Sequence, residues 1–451
     1  MALLLAAAPA RAQGERLSAP SLPDSTADEA PPAGQDRVQT LEERINELNE
    51  RMRESDEARQ KSVSPLSWNG YVDFGFFVPF GNRGAGWVRD VGNVQFPQYS
   101  GYSWTFLGDI LSTAINTRGE VADLGDAPDA PRFDSVNSDG AAGFILNEIN
   151  LRPRFQLSDR AILRASVNFI PRSGSDFYIG DFVEADLGEL EYLLTPDGKT
   201  SLFVGKTLPV FGIEYKDRKS DQRFGITPSL IARYTTGSQL GIKVRSKLAK
   251  DWLVLAASVT NNSSTIEMFH FYREIDRNDD KFLNGRVAVS LPVGRLFRND
   301  DRLEFGFSGE WGAQDRATDT AGKMWFLGPD LQYLGVNLAI KGQLIEGRSP
   351  GNPDPMAGVW GLHLNLSGYL EVDWQVLAHF GIYARIENRD ALVTLGDQRI
   401  YVTKERRFTA GLRVVVNPHV VVKGEYLHND EYGGINEFDN DIATSSLVLF
   451  F

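Results

Sequence analysis

The side chains in this chain with the most chemistry to offer are charged groups set at every second position among apolar ones. The clearest run is Trp374, Val376, Ala378, Phe380, Ile382, Ala384 and Ile386, interleaved with Asp373, Gln375, His379, Tyr383, Arg385 and Glu387. Period two puts these sets on opposite faces of a strand, whereas a helical period would mix them. The separation recurs where Phe408, Ala410, Leu412 and Val414 oppose Arg407, Thr409 and Arg413, and where Leu303, Phe305 and Phe307 oppose Glu304 and Ser308.

Across such runs the polar face carries Arg152, Arg154, Arg164, Lys206, Lys243, Arg245, Arg286, Lys341, Arg385, Arg407, Arg413 and Lys423. Its acids are Glu148, Glu184, Asp186, Glu304, Glu310, Asp373, Glu387 and Glu425. These are read as pore-lining. A low-dielectric wall carrying an excess of one sign concentrates the opposite ion. Twelve bases against eight acids predict mild anion preference; cross-strand pairing that only braces the wall is the alternative.

Other constellations are weaker. Asp276-x-Asn278-x-Asp280 begins like a calcium loop, but Lys281 stands where glycine is needed and Val287 where the closing Glu is needed. His363 and His379, read as facing inward on adjacent strands, are too few for a metal site and read as polar wall. A lipase-type triad needs an outward Ser–His pair, and none stands out. The chain has no cysteine, which excludes a thiolate metal site, a Cys nucleophile and a disulfide scaffold. No catalytic residue, metal or cofactor is expected. The net charge of −13 argues against a nucleic-acid partner.

The elements that position the charged faces must be strands whose other face meets something apolar. A sandwich core could not hold so many charges without partners. A membrane barrel can, because its inner face is wet and its outer face meets lipid. Mean hydropathy is only −0.26. That value fits strands that carry every second residue to lipid.

The chain threads as sixteen strands, near 68–78, 143–157, 160–170, 177–193, 200–209, 235–247, 251–262, 281–291, 302–313, 323–333, 335–347, 357–369, 373–387, 405–416, 419–429 and 441–451. Short connections at 158–159, 196–198, 248–250, 370–372 and 417–418 follow even strands. Longer ones at 79–142, 210–234, 263–280, 388–404 and 430–440 follow odd strands. Short periplasmic turns and long outer loops mark an outer-membrane barrel. Segment 79–142 is aromatic, then acidic, and is expected to narrow the pore or cover its mouth.

Residues 1–12 read as a signal peptide, with an apolar Leu3–Ala8 stretch before Ala10-Arg11-Ala12. Residues 13–37 read as a disordered linker. Val38, Leu41, Ile45, Leu48 and Met52 form a 3-4 seam, so 38–60 is expected to be a short coiled-coil helix that holds copies together, with a trimer as the first choice. An even strand count places it in the periplasm. The barrel itself is assigned to 66–451 and ends on Phe451. The expected class is all-β: a transmembrane antiparallel barrel preceded by a coiled-coil helix.

Several stretches carry a resemblance. They are Trp68-Asn69-Gly70-Tyr71 after the coiled coil, Val204-Gly205-Lys206-Thr207-Leu208-Pro209-Val210-Phe211-Gly212, Tyr234-Thr235-Thr236-Gly237, Gly424-Glu425-Tyr426-Leu427-His428-Asn429, and the terminal Phe451. The pattern resembles the phosphate-selective porin O and P family over nearly everything after residue 38. The resemblance implies a trimeric, sixteen-stranded outer-membrane channel for small hydrophilic solutes, general or anion-preferring. The arginine–lysine ladder of the phosphate-specific members has no residue-by-residue counterpart here. A barrel plugged inside, binding a partner through its long outer loops, is the alternative.

Overall fold

The computed structural model describes residues 65–80, 87–88, 136–137, 143–169, 183–265, 279–294, 301–313, 323–354, 356, 360–396, 398–431 and 441–451. The expected signal peptide, linker and coiled-coil seam lie outside the described residues. So does segment 79–142, apart from Pro79 and Phe80 and a two-residue pairing of Trp87–Val88 with Val136–Asn137.

Sixteen antiparallel strands form one closed barrel. They are β1 Leu66–Phe80, β2 Gly143–Ser158, β3 Ala161–Phe169, β4 Val183–Leu193, β5 Thr200–Thr207, β6 Gln239–Leu248, β7 Leu253–Thr260 and β8 Phe282–Pro292. Then follow β9 Arg302–Ala313, β10 Lys323–Leu334, β11 Leu338–Pro350, β12 Trp360–Leu377, β13 Phe380–Leu395, β14 Gln398–Asn417, β15 Val420–Glu431 and β16 Asp441–Phe450. Each strand pairs with its sequence neighbours, and β1 closes the ring on β16 with Tyr71 opposite Phe450. Closure leaves no sheet edge, which a strand in lipid requires.

The alternation decides which face is which. Along β9, Phe305 and Phe307 are half exposed on the outside while Ser308 and Glu310 are buried inside. Along β13, Ile382 and Ile386 face out while Arg385 and Glu387 are buried. In water such an outer belt would be costly; in a bilayer it is the favoured surface. The usual arrangement is therefore inverted, and the packed polar groups lie within the ring.

Two expected turns are misplaced. Residues 370–372 lie inside β12, and the hairpin turns at Ala378-His379 instead. Asp373, Gln375, Tyr383, Arg385 and Glu387 face inward on both sides of that turn, so the alternation passes through it unbroken. Nor is 388–404 a long loop. Strands β13 and β14 continue to a tight turn at Gly396, whose φ of +58° suits glycine. His363 also corrects the expected inward pair. A bulge between Leu364 and Gly368 shifts the register, so Leu362 and Leu364 are buried while His363 is exposed. His379 sits exposed in the turn.

Candidate pore constriction

The connection between β5 and β6, residues 208–238, does not run over the outside. It enters the barrel and crosses it. Its first part is apolar, with Val210, Phe211 and Ile213 buried, and so is its return, with Ile226, Leu230, Ile231 and Tyr234 buried. They pack on the wall's own inward apolar residues: Tyr234 and Phe211 lie 5.9 and 6.3 Å from Phe326, ring centre to ring centre. Burying these side chains favours the in-turned path. Gly212 allows the first bend, with φ +70° and no room for a side chain beside Gln343.

Polar contacts then fix the segment to the wall all the way round. The Gly212 amide donates to Ser308 Oγ of β9 (3.0 Å) and the Ile213 amide to Gln343 Oε1 of β11 (2.9 Å). Asp217 pairs with Lys341 of β11 (2.7 Å). On the other side Arg218 meets Asp186 of β4 (2.6 Å), Lys219 meets Glu148 of β2 (2.7 Å), and Arg152 of β2 donates to Asp221 (2.8 Å). The Ser220 hydroxyl donates to Asp73 of β1 (2.5 Å).

From there the chain passes to β15 and β13. Lys423 donates to the carbonyls of Ser220, Arg223 and Gly225 at 2.6 to 2.8 Å. Glu425 accepts from the Ile226 and Thr227 amides, the Thr227 hydroxyl and the Tyr383 hydroxyl. Arg385 donates to the Thr227 and Pro228 carbonyls at 2.8 and 3.1 Å, and Glu387 accepts the Leu230 amide at 2.7 Å. Wall charges thus satisfy backbone groups that the segment, having no sheet of its own, would leave unpaired.

One acid belongs to the segment alone. Glu214 accepts from the Ser229 amide and hydroxyl, both at 2.8 Å, and from Thr235 Oγ1 at 3.2 Å, clipping the outgoing arm to the returning one. Burial is the main influence on its carboxyl and pushes it up to about 7. Its ordinary value is near 4.5, so the folded segment holds a proton that the released one gives up between those values. The clip is therefore most stable below pH 4.5 and weakens as pH rises through about 7. Amide exchange at Ser229, corrected for its intrinsic rate, is expected to show high protection at pH 5 that falls severalfold by pH 8. Glu214→Gln should flatten that profile.

Most of the expected lining residues do face inward. Arg152, Arg154, Arg164, Lys243, Arg245, Arg286, Lys341, Arg385, Arg407, Arg413, Lys423, Glu148, Glu304, Glu310, Glu387 and Glu425 occupy inward strand positions. The side chain of Glu184 lies outside the described residues. Lys206 is a correction. It pairs in register with Gly188 and Leu240, on the outer face with Val204, while Phe203 and Thr207 are the buried inward positions.

The expected basic excess is largely cancelled. Among the described residues, Asp73, Glu189, Glu191, Asp330 and Glu371 also point inward and are buried, as is the base Arg389, and all of these were missed in the sequence. Arg286 pairs with Asp330 (2.6 Å) and Glu304 (2.9 Å). Lys341 meets Asp373 (3.3 Å), and Arg385 meets Glu371 and Glu387 (3.1 Å each). Arg164 pairs with Glu189 (3.2 Å) and Glu191. What stays open to solvent is narrower. Arg154, Arg164 and Arg245 line the β2–β6 side toward the short turns, with Arg245 half exposed. Among the described side chains of the segment, Lys216 and Gln222 are the exposed ones, flanked by Asp217 and Asp221.

No family model matches the chain, and no curated protein matches it in sequence. Solved structures do match in fold. The outer-membrane channel DcaP of Acinetobacter baumannii is 10% identical over 86% of this chain and 97% of its own, with a TM-score of 0.50. OmpF of Salmonella typhi, solved with daunomycin, gives the same identity, coverage and score. An anion-selective porin from Comamonas acidovorans is 11% identical over 86% of this chain and 99% of its own, at 0.48. The fold is that of a bacterial outer-membrane barrel. At these identities the likeness is one of fold alone.

Proposed function

We propose that this barrel is a porin: a passive channel for small hydrophilic solutes that carries out no reaction, working as a homotrimer in the outer membrane. The observation that carries the reading is the in-turned segment. It narrows the bore with polar groups and leaves Lys216 and Gln222 facing solvent, with the half-buried, paired Asp217 and Asp221 beside them. Solutes would pass between these groups and the arginines of β2–β6.

The side opposite, β8 to β12, carries Glu304, Asp330, Glu371 and Asp373 beside Arg286 and Lys341. A solute with both charges would turn to match the two sides. Mild anion preference, as in the general or anion-preferring members of the phosphate-selective porin O and P family, would rest on Arg154, Arg164 and Arg245. Under a salt gradient the reversal potential should favour anions in the native protein. Arg164→Glu with Arg245→Glu should move the permeability ratio toward cations by roughly a factor of two to five. A cation-favouring native protein would sink the anion preference.

A second reading, a barrel closed by its segment and serving adhesion, draws on the burial of residues 209–214, 225–232 and 234–238. Purified protein in a planar bilayer separates the two. Unitary conductance steps support the porin, and silence with demonstrated insertion supports the plug.

A further inference from the structure

Outside the bore, the lipid-facing wall has a groove of about 690 Å³ across β12 to β15. Two adjacent rungs of the sheet build it. The lower rung is Leu370, Ile386 and Phe408, each in register with the next and each exposed outward. The upper rung, two residues nearer the long connections, is Gly368, Asn388, Arg406 and Asp430, again in register. Gly368 contributes no side chain, and Leu344 of β11 closes over it to form the end of the groove. Apolar gives way to polar within one rung, as at the edge of a hydrocarbon layer.

We propose that this groove binds one zwitterionic phospholipid, with its phosphate on Arg406, its ammonium on Asp430 and an acyl chain along Leu370, Ile386 and Phe408. A guanidinium presents a planar donor fork that suits phosphate, and a carboxylate accepts from an ammonium. Charge complementarity selects the head. Arg406 and Asp430 are neighbours in register, and Asp441 lies close by, bound to His428 at 2.9 Å. A head with two negative charges would meet those carboxylates with Arg406 to match it, since His428 is engaged by Asp441. An uncharged lipid would leave the polar rung unused.

The test is native mass spectrometry of the full chain, solubilised and offered phosphatidylethanolamine, phosphatidylglycerol, diacylglycerol or lipid A. One phosphatidylethanolamine per barrel should survive activation that strips the others. Arg406→Ala and Asp430→Asn should each cut its retention at least about tenfold, the scale of one lost charge-assisted hydrogen bond. Arg406→Lys should keep part of it. The heat-modified gel shift reports that each variant is folded. Bilayer conductance should be unchanged, since both side chains lie outside the bore. Equal retention of diacylglycerol, preferential retention of phosphatidylglycerol or lipid A, or an unaffected Arg406→Ala would overturn the proposal.

Discussion

Excising Ile213 to Ile231 and joining the ends with a short glycine–serine bridge is expected to raise single-channel conductance severalfold while leaving a closed barrel. The closed ladder runs from β1 to β16 without using the segment, so the wall keeps its hydrogen bonds. The bore, freed of its crossing chain, should conduct roughly in proportion to the widened opening. The groups left behind, among them Glu148, Asp186, Glu425 and Lys423, would face water instead of the segment. Their desolvation ends when the bore fills. The excision also removes Lys216, Arg218, Lys219 and Arg223 together with Glu214, Asp217 and Asp221. One net positive charge is lost, and ion preference should move toward cations. Planar-bilayer recordings read both effects. A conductance equal to that of the native protein would mean that the segment does not limit flow.

Glu425→Ala is expected to release the segment without unfolding the wall. That carboxylate gathers two backbone amides and two hydroxyls, one of them from Tyr383 on the neighbouring wall. Truncation leaves those donors without an acceptor at a buried site, at a cost of about 2 to 5 kcal/mol. Water that enters the bore would recover part of it. The cost falls on the segment, because Glu425 lends only its side chain to it and its backbone stays in the β14–β15–β16 ladder. Protease cleavage near Thr227 should therefore rise by one to two orders of magnitude, with open-channel noise alongside. The midpoint of heat-induced barrel opening should shift little. Unchanged cleavage would show that Lys423 and Arg385 hold the segment without Glu425.

Much of the wall was legible because lipid and water impose opposite demands on alternate residues. That demand is local and repeats along every strand, so strand count, closure and the facing of nearly all lining charges could be read from Trp68 onward. Where reading failed, the pattern was silent. Alternation runs through the turn at Ala378-His379 without a break, and through the bulge before Gly368 it hides a change of face at His363. Lys206 was read onto the inner face from the alternation, yet register puts it on the outer one.

The crossing segment was taken for an outer loop on its length. Its content argued otherwise: Val210, Phe211, Ile213, Phe224, Ile226, Leu230 and Ile231 are too apolar for a loop in water. Its partners, by contrast, could not have been found. Glu425 and Ile226 are far apart in the chain and meet only because the ring closes. The missed inward acids mattered most to function, since they turn an apparently basic wall into a mostly paired one.

A hoop of strands held only along its rim can flatten toward an ellipse at small cost, since each ladder hinge need bend only slightly. This hoop has spokes. Residues 212 to 230 are tied to β1, β2, β4, β9, β11, β13 and β15, so squeezing it along any diameter must shorten some tether while stretching another. Membrane tension and thickness press on such a ring from the side, and the spokes pass that load across the bore instead of letting the rim absorb it. The aperture should then keep its shape in bilayers of different lateral pressure, and its calibre would be a property of the protein more than of the membrane that holds it.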